Sequence, residues 1–239
     1  MKEIKLITED NIEIALNHFQ NGFESVLIIS PGWFMTKDSN AFKKISEAFS
    51  SYCDVICIDF RGHGKSKGHY TFTKKEILDI EVVVNFAKTN YSNINLMGFS
   101  LGASLSLIAG SKFSNINKII AISPATNFYK IENHFWKPEA WIPTFKKIEI
   151  DRWCSIRAEI PFGKRTNPID IVDKIESPTL FIAGEKDPTV YPWHTEELYK
   201  KAICKKKYEL FKNCYHAEDL FIDAKEKFIE ICHSWLFTE

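Results

Sequence analysis

The sequence predicts an α/β fold in which a mostly parallel β-sheet is covered by helices on both faces. Short, continuous apolar runs recur along the chain, and such runs are typical of strands buried on both faces. Segments with helical spacing separate these runs, so strands and helices alternate. The pentapeptide Gly98-Phe99-Ser100-Leu101-Gly102 joins one of the apolar runs directly to a helical pattern.

The N-terminal segment predicts a β-hairpin, because polar and apolar residues alternate over 2–8 and again over 11–19. The arms of a hairpin are antiparallel, so we expect an antiparallel edge on the sheet. The apolar run 25–29 is the first buried strand, and Pro31-Gly32 then forces a turn.

The same two patterns predict the remaining elements. Buried strands are expected at 54–59, 94–97, 118–122, 178–183 and 207–211, and helices at 39–50, 73–87, 195–203 and 218–237, with one more directly after the pentapeptide and another around Asp170 and Asp173, before the strand 178–183.

One segment interrupts the alternation. Residues 124–167 lie between two core strands, form a much longer connection than usual, and are rich in large aromatics that include Trp136 and Trp141. We interpret them as a small helical cap inserted into a single domain that spans 1–239. Lys164 and Arg165 offer positive charge to an anionic group, although a solvated position is the simpler interpretation.

Composition excludes several classes of function. Hydrophobic residues make up 45% and charged residues 26%, as in soluble globular proteins. The 31 basic and 31 acidic residues balance, which argues against nucleic acid or an anionic membrane as the main partner. No apolar run is long enough to span a bilayer, and the first residues lack the apolar core of a signal peptide. The six cysteines show no zinc-binding spacing, so we expect reduced thiols in a cytoplasm and no metal.

Ser100 is the candidate nucleophile. A G-x-S-x-G sequence between a strand and a helix forms a turn so tight that Gly98 and Gly102 have no room for a Cβ atom. The turn lifts Ser100 to the N-terminus of the next helix, where the Leu101 amide and the helix dipole favour negative charge. The alternative is a Gly-Ser turn that only connects two elements; the strand before it and the helix after it favour the nucleophile.

A serine nucleophile needs a base, and the base needs an acid that orients it. In this type of fold the chain order is Ser, then Asp or Glu, then His. His216 is the histidine that lies between the last strand and the last helix, and it is therefore the predicted base. Asp187 follows the penultimate strand and is the predicted acid, with Glu185 as the alternative.

The developing oxyanion needs two amide donors. Leu101 supplies one, and the turn after the third strand, where Gly32 permits close approach, supplies the other. We expect the amide of Trp33, with Phe34 as the alternative. Phe34, Trp136 and Trp141 are the candidate substrate-binding residues, since aromatic rings supply apolar contact area.

The sequence resembles the α/β-hydrolase superfamily in four features. They are the tight turn around Ser100, called the elbow, the loop 59–66 with its Arg-Gly-His-Gly sequence, the Asp187 turn and the His216 loop. More narrowly, they resemble the small single-domain esterases grouped with monoacylglycerol lipases and serine aminopeptidases. The resemblance covers nearly the whole chain and implies a Ser100–His216–Asp187 triad with a cap before the penultimate strand. One departure is Pro31-Gly32, where such enzymes usually carry His-Gly.

The resemblance implies hydrolysis of a small-molecule acyl ester through a covalent acyl-enzyme, without a cofactor. A hydrophobic acyl or aryl group is expected from the aromatic residues around the site. Two alternatives stay open: an acyl thioesterase, which uses the same triad, and a non-catalytic protein that binds a small molecule on the same fold. The oligomeric state does not follow from the sequence.

Overall fold

The computed structural model describes residues 1–131, 149, 155–159 and 165–238. The described strands are β1 (Lys2–Ile7), β2 (Glu13–Phe19), β3 (Ser25–Ser30), β4 (Asp54–Ile58), β5 (Asn93–Phe99), β6 (Lys118–Ile122), β7 (Thr179–Gly184) and β8 (Lys206–Phe211). The described α-helices are α1 (Asn40–Phe49), α2 (Glu76–Lys88), α3 (Leu101–Gly110), α4 (Pro192–Lys201), α5 (Asp219–Asp223) and α6 (Lys225–Phe237). Most of the expected cap, 124–167, lies outside the described residues.

The strands form one sheet in the order β1-β2-β4-β3-β5-β6-β7-β8. β1 pairs with β2 and β2 with β4 in antiparallel fashion, and the pairings from β4 to β8 are parallel. This confirms the predicted α/β class and its antiparallel N-terminal edge. The carboxyl ends of the parallel strands meet at one edge of the sheet, which is where open α/β sheets bind their ligands.

Two apolar layers cover the sheet. Strand residues alternate between them, so that Leu96 of β5 packs towards α2 and α3, whereas Met97 and Phe99 pack towards α1 and α6. All three side chains are fully buried. This burial explains why the strand sequences are continuously apolar: each face of the sheet has a helical layer against it.

Two expected helices differ in the structure. The predicted C-terminal helix 218–237 is divided into α5 and α6, because Ala224 adopts φ −140° and ψ 50°, outside the helical region. No glycine or proline lies at this break, and the apolar spacing of the sequence continues through it. The segment before β7 forms two 3₁₀ turns, Pro168–Asp170 and Val172–Lys174, instead of a helix.

Within the described ranges, no helix is both long enough and apolar enough to cross a lipid bilayer. The same residues include five free cysteines, four of them buried. Among those described residues there is also no group of three or more His, Cys, Asp or Glu side chains arranged to hold a metal ion.

Candidate active site

Ser100 occupies the turn between β5 and α3, at the carboxyl edge of the sheet. Its backbone has φ 52° and ψ −109°, a strained conformation for a residue with a side chain. A Cβ atom on Gly98 would overlap the backbone of Gly102, and one on Gly102 would overlap the carbonyl groups of Ser30 and Pro31. The two glycines therefore permit the tight turn that holds Ser100 in a partly exposed position.

His216 and Asp187 are in direct contact, although 29 positions separate them. Nδ1 of His216 lies 2.6 Å from Oδ2 of Asp187. The amides of Thr189 and Val190 both donate to the other carboxylate oxygen, Oδ1, at 2.9 Å. An ionised carboxylate only accepts hydrogen bonds, so Nδ1 carries the proton and Nε2 remains a proton acceptor. The buried carboxylate thus sets both the orientation and the tautomer of the imidazole.

Glu185, the alternative acid, has a different position. It is exposed, and its Oε2 accepts a hydrogen bond from the amide of Asn213 at 2.9 Å. Glu185 therefore connects the loop after β7 to the loop after β8, whereas Asp187 is the carboxylate that contacts His216.

The end of β6 connects the turn that holds Ser100 to the loop that holds His216. The amide of Ser100 donates to the carbonyl of Ile122 at 2.8 Å. The next residue, Ser123, accepts a hydrogen bond on Oγ from the amide of Ala217, at 3.3 Å, directly after His216. Ser123 is not among the predicted site residues, although it begins a Ser-Pro pair directly after a buried strand.

The predicted oxyanion donors belong to the residue after Ser100 and to the turn that begins at Gly32. Leu101 is the first residue of α3, and the amide of a first helical residue has no intrahelical partner. Residues 32–35 form a turn in which the Met35 amide donates to the Gly32 carbonyl at 3.1 Å. An ideal Cβ on Gly32 would lie 3.5 Å from Cβ of Ser100, so this turn borders the serine. The backbone at Phe34, at φ 65°, completes the turn.

Aromatic rings extend from this turn. The indole of Trp33 lies 4.2 Å from the ring of Phe34, 6.0 Å from that of Tyr70 and 6.5 Å from that of Phe72, measured between ring centres. We call Trp33, Tyr70 and Phe72 the aromatic wall. Tyr70 and Phe72 were not predicted, because they come from the long connection between β4 and α2. The predicted substrate residues Trp136 and Trp141 lie outside the described residues.

The Arg-Gly-His-Gly loop after β4 is held by buried ionic contacts. The amide and Nε of Arg61 each donate to Asp79 at 2.8 Å, and its guanidinium also pairs with Asp10 at 2.8 Å. His63 is 1% exposed, and its Nδ1 donates to the Arg61 carbonyl at 3.1 Å. Burial lowers the pKa of His63 to about 4. A buried, neutral histidine in this position acts in the packing of the loop.

Comparisons with known proteins agree with this architecture. Residues 25–135 match the family model of the alpha/beta hydrolase fold. The chain is 30% identical over 171 residues to the uncharacterised protein YqkD of Bacillus subtilis strain 168, a match that covers 69% of this chain and 56% of YqkD. The chain therefore spans only a little more than half the length of that curated relative.

Solved structures match almost the whole chain. The esterase Pf2001 of Pyrococcus furiosus is 25% identical with a TM-score of 0.79, over 98% of this chain and 91% of its own. The esterase RhEst1 of Rhodococcus sp. ECU1013 shares the fold at 13% identity, with a TM-score of 0.81, over 100% and 99% of the two chains. The sheet order, the family-model match and these structures together show that the chain has the alpha/beta hydrolase fold.

Proposed function

We propose that this protein is a serine esterase in which Ser100 attacks a carboxylic ester, His216 is the general base and Asp187 orients it. The observation that carries the proposal is the 2.6 Å contact between His216 Nδ1 and Asp187 Oδ2. This contact lies at the sheet edge where the strained turn presents Ser100. A hydroxyl in such a turn, combined with an oriented imidazole at the same edge of the sheet, has the chemistry of an activated nucleophile.

The reaction follows from where the protons lie. Nε2 of His216 takes the proton of the Ser100 hydroxyl while Oγ bonds to the ester carbonyl carbon. The amides of Leu101 and Trp33 donate to the oxygen that becomes negative. Nε2 then returns the proton to the leaving alcohol as its C–O bond breaks, which leaves an acyl group on Ser100. A water molecule, deprotonated by the same nitrogen, releases the acid and restores the serine.

The solved structures that resemble this chain favour ester cleavage over the other reactions of this fold. The solved structures of Pyrococcus and Rhodococcus that match the chain are described as esterases. The elbow carries serine, and the proposed mechanism requires no cofactor. We further propose that residues 1–239 act as one hydrolase domain, with 124–167 as a cap over the site.

The aromatic wall supports a hydrophobic acyl or aryl group on the substrate. Trp33 and Phe34 directly follow Gly32, which borders Ser100, and aromatic rings supply large apolar contact area. We expect kcat/KM for 4-nitrophenyl esters to rise as the acyl chain lengthens from acetyl to hexanoyl. A preference for acetyl would contradict this part of the proposal.

The decisive test is intact mass after treatment with a fluorophosphonate, which forms an adduct only with an activated serine. The wild-type protein is expected to gain one adduct and Ser100→Ala none. Ser106→Ala, which removes a buried hydroxyl from α3, is the matched control and is expected to label fully. The absence of an adduct on folded wild-type protein would contradict the esterase proposal and favour a non-catalytic binding protein.

Ester and thioester cleavage use the same catalytic residues, so the triad does not separate them. Paired hexanoyl substrates that differ only in an oxygen or sulfur leaving atom, assayed side by side, distinguish an esterase from a thioesterase. A larger kcat/KM for the thioester, after correction for the leaving-group pKa, would replace the ester by a thioester in the proposal.

A further inference from the structure

Arg165 is a charged residue that the proposed catalytic steps do not use. Its guanidinium carbon lies 5.6 Å from the ring centre of Phe72 and 5.0 Å from that of Tyr129. The side chain is partly buried and contacts both rings, whereas the sequence favoured a solvated position. Lys164, the other cation considered there, lies outside the described residues.

The aromatic wall connects Arg165 to the reaction centre. Gly32 borders Ser100, and Trp33 follows Gly32 directly. The ring of Phe72 lies 6.5 Å from the Trp33 indole and is also one of the two rings that flank the guanidinium. An apolar surface therefore runs from the predicted oxyanion turn to a fixed positive charge.

Arg165 lacks an anionic partner within the described ranges. Its Nε is buried there without a hydrogen-bond acceptor, and its contacts are the two aromatic rings. Nearby Glu76 is engaged elsewhere, since its carboxylate accepts from the amide of Thr71 at 2.6 Å and from its hydroxyl at 2.9 Å. Burial raises the pKa of Tyr70, so that phenol is also not an anion. A buried donor without an acceptor is costly unless a ligand supplies one.

Backbone strain supports the position of the wall. Phe72 has φ 54° and Thr73 has φ 73°, and two successive residues with side chains rarely adopt this conformation. The hydrogen bonds from Thr71 to buried Glu76 hold the segment in place. Strain of this kind persists where the surrounding structure enforces it, and it is common at ligand sites. In this segment the ring of Phe72 contacts Arg165.

The topology assigns the two ends of the ester. Trp33 follows β3 and His216 follows β8, and these strands lie on opposite sides of β5, which carries Ser100. The leaving alcohol must be next to His216, because that residue protonates it. The acyl chain then extends along the aromatic wall towards Arg165.

We propose that Arg165 binds a carboxylate at the far end of the acyl chain, so that the substrates are half-esters of dicarboxylic acids. This inference rests on the proposed esterase function. A planar guanidinium fixed between two rings offers paired N–H donors that match a carboxylate, and stacking preorganises it for that contact. The aromatic wall offers apolar contact area to the methylene chain of such an acid.

The test compares 4-nitrophenyl hydrogen adipate with 4-nitrophenyl hexanoate, which have the same chain length and differ in the terminal carboxylate. The corresponding half-esters of pimelate and suberate increase the distance between the ester carbonyl and the terminal carboxylate by one and two methylene groups. In Arg165→Met, the ratio of kcat/KM for the best half-ester to that for hexanoate is expected to fall about tenfold or more, because a charge-assisted hydrogen bond is lost. The loss is expected in KM, since the contact is remote from the reacting bond.

Two further variants separate recognition from general electrostatics. Lys130→Met removes an exposed positive charge next to Tyr129 and is expected to leave the ratio unchanged. Arg165→Lys keeps the charge but loses the planar fork, so an intermediate ratio is expected. The ratio is measured within one protein, and a variant that folds in part affects both substrates alike. An equal fall of the ratio in Lys130→Met would overturn the assignment to Arg165.

A binding measurement tests Arg165 without turnover. Adipanilic acid and hexananilide are anilide analogues of the two esters, and calorimetric titration compares their affinities for wild type and Arg165→Met. Tighter binding of adipanilic acid that is lost in Arg165→Met supports the proposal, and equal affinity of the two proteins overturns it. If hexanoate is hydrolysed but the ratio does not depend on Arg165, this inference fails and the esterase proposal stands. If the protein neither hydrolyses hexanoate nor reacts with fluorophosphonate, the esterase proposal itself fails.

Discussion

Nδ1 of His216 and Oδ2 of Asp187 lie 2.6 Å apart, and the second oxygen of the same carboxylate accepts two backbone amides at 2.9 Å. The carboxylate is 3% exposed, so solvent does not compete for these bonds. The backbone of the loop after β7 therefore determines the position of the carboxylate, and the carboxylate determines the orientation of the imidazole.

Asp187→Asn tests this relationship. The amide nitrogen of asparagine would donate to His216, which shifts the imidazole proton to Nε2 and removes the base. We expect kcat to fall about 10⁴-fold with little change in fold, as for the same exchange in other serine hydrolases. Glu185→Gln makes the same chemical change two residues away, at an exposed position, and is expected to retain activity. Similar losses in both variants would show that charge in this loop, not the tautomer, matters.

The strain at Ser100 predicts an unusual order of stabilities. At φ 52° an alanine backbone is strained, whereas a glycine backbone is not. Glycine also loses more chain entropy on folding, which offsets part of this advantage. Ser100→Gly is therefore expected to be more stable than Ser100→Ala by roughly 1 kcal/mol. Ser106, buried within α3, is expected to show the opposite order by about 1 kcal/mol. Urea unfolding of the four variants measures both differences. The same order at both positions would argue against strain in the turn.

Gly184 provides the space in which the loops that carry Asp187 and His216 meet. A Cβ atom there would overlap the carbonyl of Tyr215 and lie 2.8 Å from that of Cys214, just before His216. Gly184→Ala is expected to displace the histidine loop, lowering kcat about 100-fold and stability by about 1–3 kcal/mol. Gly22→Ala adds the same methyl group where nothing lies within 4 Å, at φ 89°. This control is expected to lose about 1 kcal/mol and no activity.

The buried His63 predicts a pH dependence of stability. Burial lowers its pKa from 6.5 to about 4, so between these values the unfolded chain binds a proton that the folded protein does not. The unfolding free energy therefore falls as pH falls through this window, by about 1.4 kcal/mol per pH unit. We expect the stability difference between wild type and His63→Gln to change by about 2 kcal/mol from pH 7 to pH 5, measured by urea unfolding.

Comparison with the variant isolates His63 from other buried groups. Burial raises the pKa of Asp59 to about 6, which gives a slope of the opposite sign over part of the same range. Asp59 titrates in both proteins, so its contribution cancels in the difference. A difference that does not vary with pH would mean that His63 is not a neutral, buried group in the folded protein.

The fold class was predictable because a strand that is buried on both faces of a sheet has a continuously apolar sequence. The side chains of β5 alternate between two apolar layers, so every position is apolar, and the glycines of the elbow stand out against that run. The break at Ala224 was not predictable, because the residues on both sides keep the same apolar spacing. Periodicity records which face is buried and carries no information on a change in helix direction.

Local sequence patterns predicted some parts of the candidate site and not others. The sequence could place His216 and Asp187 on loops at one edge of the sheet, because the carboxyl ends of parallel strands coincide. It could not place Tyr70 or Phe72, since these come from an irregular connection whose path depends on contacts such as those of Thr71 with Glu76. For Arg165 it favoured solvent, because a charged residue in an insertion is usually exposed.

Local patterns in the amino-acid sequence were sufficient to predict the order of strands and helices along the chain, the tight turn around Ser100 and the loops that carry Asp187 and His216. These patterns are apolar periodicity, glycines at a forced turn and the position of a polar residue after a strand. The contact of His216 with Asp187 and not with Glu185, and the aromatic wall that leads to Arg165, emerge from the folded structure alone. Such choices depend on distances between segments remote in the chain, and those distances exist only once the sheet and its loops have packed.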